Sequence, residues 1–576
     1  MPLQDLINKI GHRVMFGTKQ KEVDKCLRTA TPATVLHDLH SCLVQDQSVA
    51  NTPAIFDACC VQDSPQGQPF WTKESLENHI VKTHPGATIP DASIDVLWSC
   101  FYFYAYHPFP RYDADHQKLD RPAFERAISL LAFHRTEILG TLGDGIGYWR
   151  ISRQQNQHTS NPSLSIDDDM MDVLAMTKPN IEKGFPSSDQ LTPAVQRLLK
   201  GANPSYKLHL NDLATLLGLF SRMRVHKLTW GQGFYYASFE ESSPQKEELV
   251  KILLQPFRLD QEGFLTPDSM IRGLDILPNL EQHLHQLWAA IFQPPMPEAS
   301  VAFGTASQPN STTSDILRAV SLFVPPYEAH KKSEIARKFR PFSFEEICEP
   351  STQRSNDNLS RNHIIQRVAQ EETDHRPRLL LFVGDQDQSR IPEVTGALFS
   401  RTSGTMSTKN QAIPEETGER SLDLPQLLFQ LQPSFRLIQL NKAGNTRPPA
   451  HESTTGHVDN LGAQYWIGDR ESKVGLRVDT VTSQVTYLQN TATADKSRNL
   501  YDEVFWNNEN VSGKKQDEGI EKSFAVTQIA VYRVEDGEAI ASDKRGIDGP
   551  QSRKKVYRVI EKGEGSGLEI PTSGLT

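Results

Sequence analysis

The stretch Arg378-Leu-Leu-Leu-Phe-Val-Gly384-Asp385 decides the fold class. Its continuous apolar run from Leu379 to Val383 ends at a glycine and an aspartate. Such a short run is consistent with a strand covered on both faces. Downstream come Val394-Thr-Gly396-Ala-Leu-Phe399, Leu424-Pro-Gln-Leu-Leu-Phe429-Gln-Leu431, Gly475-Leu-Arg-Val-Asp479, Val504-Phe-Trp-Asn-Asn508 and Phe524-Ala-Val-Thr-Gln-Ile-Ala-Val-Tyr532. Phe435 to Leu440 and Gly475 to Val481 read as short strands, and Phe524 to Val534 alternates with a period of two. Polar inserts at 401–421, 441–460 and 489–502 are longer than hairpin turns and read as surface insertions. No nucleophile motif, metal cluster or phosphate loop stands in this half.

Upstream the period changes. Phe124, Ile128 and Leu131, then Leu210, Leu213, Leu216, Leu217 and Phe220, then Leu284, Leu287, Trp288 and Ile291 recur at helical spacing. Pro122 suits a first helical turn and Asp120 a helix start. The Ser-, Asn-, Gln- and Asp-rich residues 152–170 read as an internal loop. The expected organisation is an amphipathic N-terminal segment over 1–19 (Leu3, Leu6, Ile7, Ile10, Val14) and a helical region over 20–295. A Pro- and Ser-rich linker follows over 296–334, then a strand-rich domain over 335–535 and a flexible tail over 536–576.

A chain of 576 residues exceeds one core, so several domains are expected. A net charge of −10 without a dense basic stripe argues against general nucleic-acid binding. The start, Met1-Pro-Leu-Gln-Asp-Leu, has no basic and apolar leader pattern, and Pro2 excludes myristoylation. The longest apolar stretch, Val96 to Phe109, is interrupted and too short to span a bilayer, so no transmembrane segment is expected. Six cysteines in so long a chain, two of them adjacent at Cys59 and Cys60, form no disulfide framework. A cytoplasmic, reducing location follows as the expectation, with membrane association at most indirect.

Two segments look like worn EF-hands. In Phe257 to Met270, Gly263 and Leu265 fit the turn and apolar positions of a calcium loop, but Arg258 and Ser269 stand where its first and last oxygen ligands belong. In Asp113 to Asp120, Lys118 stands where glycine is needed. A scaffold that has lost its metal is the expectation. His79 and His84 on Phe70–His84 have the spacing of half a zinc finger; without its cysteine half, an amphipathic helix with exposed histidines is expected. Asp167-Asp-Asp169 reads as a solvated run on a polar loop. Gly140 to Gly147 is glycine-rich but lacks the lysine and flanking elements of a phosphate loop. Cys348 lies among Glu345, Glu346 and Glu349, which oppose a thiolate, and Cys59-Cys60 has no nearby basic cluster in sequence. No cofactor is expected.

Taken in order, these landmarks resemble the TLDc domain of the oxidation-resistance proteins. The whole chain is similar to the fungal restriction-of-telomere-capping protein five group, in which a helical, degenerate EF-hand-like half precedes a TLDc domain. Ser360 before Arg361–Val368 resembles the family's serine–helix entry, and Leu379 to Asp385, with Gly384, its first strand. Gly396-Ala-Leu resembles the glycine-containing strand, Leu427 to Pro433 with Phe429 the next segment, and Asp479 the following aspartate. Phe505-Trp-Asn507-Asn508 resembles the phenylalanine–asparagine strand, and Ile529 to Tyr532 the closing strand. The chain departs from the family at Gly462-Ala-Gln-Tyr-Trp-Ile-Gly468, where a glycine-rich turn belongs, and at Ala530, where the closing strand carries a glutamate.

The resemblance implies an α+β protein: a mostly helical, degenerate EF-hand-like N-terminal half, then a TLDc β-sandwich with flanking helices. Its signature positions would be Ser360, Gly384, Gly396, Phe429, Asp479, Phe505 and Asn507. It implies no catalytic residues. It implies a non-enzymatic adaptor that binds peripheral subunits of the vacuolar proton-pumping ATPase, at the vacuolar membrane, and affects pump assembly or activity and oxidative-stress resistance. The alternatives are a calcium-responsive regulator using the helical half and a thiol-based antioxidant enzyme.

Overall fold

The computed structural model describes residues 23–44, 52–109, 118–132, 166–177, 188–200, 208–230, 234–260, 262–296, 311–324, 342–347, 377–384, 392–399, 425–440, 459–460, 464–469, 473–479, 481–489, 501–506 and 520–536. Outside them lie the 1–19 segment, nearly all of the 536–576 tail, and Ser360, Asn507, Asp113, Asp115 and Cys348. The glycine-rich 140–147 stretch and most of the three polar inserts also lie outside.

The protein is α+β, with many helices and one large antiparallel sheet. Its first half runs α1 (Pro32–Val44), α2 (Thr52–Cys59), α3 (Lys73–Thr83), α4 (Asp91–Tyr106), α5 (Arg121–Leu131), α6 (Ile166–Thr177), α7 (Ser188–Leu199), β1 (Leu208–His209), α8 (Leu210–Arg222), β2 (Met223–Trp230), β3 (Phe234–Phe239), α9 (Pro244–Leu254), β4 (Phe264–Leu265), α10 (Pro267–Ile276) and α11 (Leu280–Ile291). Several of these helices begin where the sequence supplies caps. The Asp120 carboxylate accepts from the Ala123 amide with Pro122 in the first turn. The Ser243 hydroxyl accepts from Lys246 before Pro244, and Thr266 accepts from Ser269 before Pro267. Each such side chain satisfies a first-turn amide that the helix leaves without a partner.

Eight of the described helices lie in pairs whose connecting loops are joined to one another. Trp71 and Leu119 exchange both backbone hydrogen bonds, at 2.8 and 2.9 Å, linking the α2–α3 loop to the α4–α5 loop. β1 and β4 pair in the same antiparallel manner, Leu208 opposite Leu265, linking the α7–α8 and α9–α10 loops. Under the first pair lies an aromatic core: Trp71 is 4.4 Å from Phe124 between ring centres, and Phe101 is 5.5 Å from Trp288. The Trp71 indole N–H donates to the Phe56 carbonyl at 2.8 Å, so the polar edge of that ring is satisfied.

Three expectations change here. The Asp167–Asp169 run lies in α6, whose Met170, Val173 and Leu174 are buried; the apolar side of that helix, not the charge run, sets its conformation. β2 and β3 form a hairpin inside the half expected to be helical. Within the expected linker stands α12 (Ser311–Phe323), where Ile316, Val320 and Phe323 are buried because both the helical half and the sheet cover it.

The sheet contains β5 (Phe342–Glu346), β6 (Arg378–Gly384), β7 (Glu393–Phe399), β8 (Leu427–Gln432), β9 (Arg436–Leu440), β10 (Asp459–Asn460), β11 (Gln464–Asp469), β12 (Val474–Asp479), β13 (Gln484–Gln489), β14 (Tyr501–Trp506) and β15 (Ile520–Asp536). Strand order is β10-β11-β12-β13-β15-β6-β7-β8-β9-β14, with β5 also on β15. The long β15 pairs first with β13 and then, from Val526, with β6, with a bulge between Val526 and Gln528. A bulge bends a strand and lets one sheet turn over on itself. The β11–β13 layer thereby lies over β6–β9, and side chains from both fill one core, among them Phe382, Leu428, Ile467, Leu476 and Val485. The opposite face of β6–β9 carries Leu381, Val394, Phe429 and Leu437 into the larger core shared with the helices. Leu379 to Val383 is thus covered on both faces, as its unbroken apolar run requires.

Candidate functional site

Three signature residues converge where the sheet receives α12. Gly396 sits opposite Phe429 in the β7–β8 register. A Cβ on Gly396 would collide with the Phe429 ring and the Leu380 carbonyl, so only glycine leaves that ring its place. Phe429 in turn is 5.0 Å from Phe323 of α12 between ring centres. Phe323 is 5.2 Å from Phe435, and Phe435 is 5.6 Å from Phe505. Polar contacts frame this aromatic seat. Gln245 of α9 donates to the Gln432 side chain at 2.9 Å, and the Phe435 amide donates to Gln255 at 3.0 Å.

The other side of α12 carries charge. Arg318 donates to Glu240 at 2.8 Å and to the Ser221 carbonyl at 2.9 Å, and its Nη1 lies 3.3 Å from Asp315. Lys246 donates to Glu240 at 3.1 Å and to the Glu241 carbonyl at 2.8 Å, with Asp315 3.8 Å away. Burial works to raise the Glu240 pKa, but Arg318 and Lys246 outweigh it and hold the carboxyl below its ordinary range. At Asp315 burial wins over the same two cations, with Glu240 adding repulsion, and the pKa is raised. Two acids therefore share Arg318 and Lys246 in a partly desolvated space, with Arg224 also 3.9 Å from Glu240, an arrangement that tolerates removal of one member poorly. The end of α12 is also fixed: Asn279 donates to the carbonyls of Ser321 and Val324 at 2.8 and 2.6 Å.

The other described signature residues lie elsewhere. A Cβ on Gly384 would strike the Ala525 carbonyl and the Phe524 ring, so Gly384 lets β15 pass close to β6. Asp479 closes the β12–β13 turn. Its Oδ1 accepts from Val481 at 2.9 Å and from Thr482 at 3.0 Å, and these amides, Thr482 first, lower its pKa.

In the loop expected to be a worn calcium site, protein groups occupy the oxygens. Asp260 Oδ1 accepts from the amides of Glu262 and Phe264, at 2.9 and 2.8 Å, around Gly263 at φ 84°. The Arg258 amide donates to Ser269 Oγ at 2.7 Å, tying the loop's first residue to its last with a hydrogen bond. His79 and His84, expected to be exposed, are buried. They donate to the carbonyls of Ile291 and Ala290, at 3.1 and 2.8 Å, and so satisfy the last turn of α11. Burial lowers His79 to about 4 and also lowers His84. From α11 itself, His285 donates to the Leu131 carbonyl at 2.7 Å, and burial lowers it to about 4. Sequence reading missed this role because a histidine meets a helix end only after folding.

Sequence also missed a lysine beside a thiol. Lys82 Nζ lies 3.6 Å from Cys59 Sγ while donating to the Ala58 carbonyl. Among the described residues no group of three or more His, Cys, Asp and Glu is placed to hold a metal ion, and no helix is long and apolar enough to cross a membrane. No family model, no curated protein and no solved structure matches the chain.

Proposed function

We propose that this protein is a non-catalytic adaptor of the TLDc type. Its sheet would be a TLDc β-sandwich, its paired helix–loop–helix units degenerate EF-hands, and its partner the peripheral subunits of a vacuolar proton-pumping ATPase. The observation that supports this best is the convergence of Gly396, Phe429 and Phe505 on α12. The residues that carry the resemblance pack the sheet onto the chain's own α12, which supports a structural rather than a catalytic role for them. An adaptor shifts an assembly equilibrium by binding one state better than another, with no bond made or broken. The self-bonded Phe257–Met270 loop supports a scaffold that holds its shape without calcium.

The test is capture of purified peripheral-sector subunits by the tagged full chain, over a range of salt. Retention of those subunits is the expected outcome; failure to retain them at any salt removes the pump from the reading. Calcium is tested separately by thermal melting, because a ligand bound only by the native state must raise stability. No calcium-dependent shift is expected.

A further inference from the structure

Between the two layers of the sheet, at the end where Glu393 begins β7, the apolar core gives way to polar side chains. Glu393 and Thr395 share one face of β7. Thr395 pairs with Gln430 of β8, and Gln430 pairs with Arg436 of β9. Facing residues of antiparallel strands lie roughly 4.5–5.5 Å apart, so this is a continuous row. The opposite layer supplies Tyr487 and Lys522, which are themselves paired across β13 and β15. Two contacts bridge the layers: the Arg436 guanidinium carbon lies 5.8 Å from the Tyr487 ring centre, and Lys522 Nζ lies 3.3 Å from Glu393 Oε1.

Glu393, Thr395, Gln430 and Tyr487 are 2, 0, 1 and 1 % exposed. Yet Glu393 Oε2, Thr395 Oγ1, Gln430 Oε1 and the Tyr487 hydroxyl have no hydrogen-bond partner among the described residues. A buried polar atom left unpaired is costly, and four in one cluster call for an occupant. The chemistry of the four atoms selects it. Glu393 Oε2 and Gln430 Oε1 only accept, whereas the two hydroxyls donate or accept. The occupant must therefore donate at least twice. Arg436 and Lys522 repel a cation there, and the unpaired carboxylate and amide oxygens repel an anion. What remains is a small neutral donor, and hydroxyl groups suit it best because they can also accept from the Thr395 and Tyr487 hydroxyls.

We propose that Glu393, Thr395, Gln430 and Tyr487 form a binding site for a small neutral hydroxyl ligand between the sheet layers. The hydroxyls come either from ordered water or from a short polyol. Lys522, whose side chain is 33 % exposed, stands where the site meets solvent.

The test uses sign. Thr395→Val and Tyr487→Phe keep shape and delete one hydroxyl each. If those hydroxyls bond an occupant, each substitution lowers the Tm of the full chain by roughly 1–3 °C. If they are idle, removing a desolvated hydroxyl leaves the Tm unchanged or raises it, and the site is rejected. Melting in glycerol and in sucrose separates the two sources, since both stabilise by exclusion from the surface. A saturable extra rise with glycerol in the wild type, missing from Tyr487→Phe, assigns a polyol; no difference from sucrose assigns water. Should the variants fail to fold, a high-resolution crystal structure of the wild type decides: density within hydrogen-bond distance of Glu393 Oε2 and Thr395 Oγ1 supports the site, and its absence overturns it.

Discussion

Around α11 three buried histidines end on backbone carbonyls: His79 on Ile291, His84 on Ala290, His285 on Leu131. Between the sheet layers, four comparably buried side chains each leave one polar atom without a described hydrogen-bond partner. The first interior is closed by imidazoles that must stay neutral; the second is held by apolar strands and carries its polar atoms at one end. The difference assigns each half its own vulnerability. Protonation threatens the helices, and loss of shape threatens the sheet.

The largest expected effect uses acid to separate the halves. His79 and His285 titrate near 4 in the folded protein and near 6.5 when unfolded, so between those values the unfolded state binds more protons. The penalty is absent above about pH 6.5, grows as pH falls, and is complete near 4, at up to about 3 kcal/mol for each imidazole. Hydrogen exchange at descending pH, corrected for the intrinsic rate, is expected to show α3, α5 and α11 opening before β6 and β7. Simultaneous opening of both would break the comparison.

Next in size is Phe429→Ala, which empties the seat of α12 and is expected to cost about 3–5 kcal/mol in denaturant unfolding. Because Phe429 touches Phe323, protection is expected to fall in α12 as well as in the sheet. A loss confined to the sheet would show that α12 is held by its charged side alone. That charged side is tested by Asp315→Ala, expected to cost about 3 kcal/mol by leaving Lys246 and Arg318 with one acid between them. The double change Asp315→Leu with Lys246→Met is expected to cost less than Asp315→Ala, despite altering more. The smallest effect belongs to Arg477→Ala, which breaks the surface pair with Glu521 and touches neither interior; about 0.5 kcal/mol or less is expected.

These regions also differ in how legible they were. Leu379–Val383 could be read as doubly covered because a strand buried on both faces leaves an unbroken apolar run. Asp120-Arg121-Pro122 announced its helix because caps act over a few residues. α12 was hidden by the Pro- and Ser-rich residues before it, although Ile316, Val320 and Phe323 repeat at helical spacing. The β2–β3 hairpin continues directly from α8, and its signal was the alternation in Met223–Trp230 before Gly231-Gln-Gly233. Of the signature residues, the collisions at Gly396 and Gly384 explain two glycines. The meeting of Gly396, Phe429 and Phe505 depends on strand order, which sequence spacing does not encode. The polar end of the sheet core was illegible for the same reason: Thr395 and Gln430 become neighbours only through the β7–β8 register.

The position of α12 has a practical consequence for anyone cutting this chain. A fragment starting at 335 follows the composition, but it would strip Phe323 from Phe429 and Phe435 and leave a bare aromatic patch beside strands prone to self-association. Its stickiness would then be mistaken for partner binding. Starting the fragment upstream of Ser311 would keep the patch covered, although the charged side of α12 would lose Glu240 and Lys246.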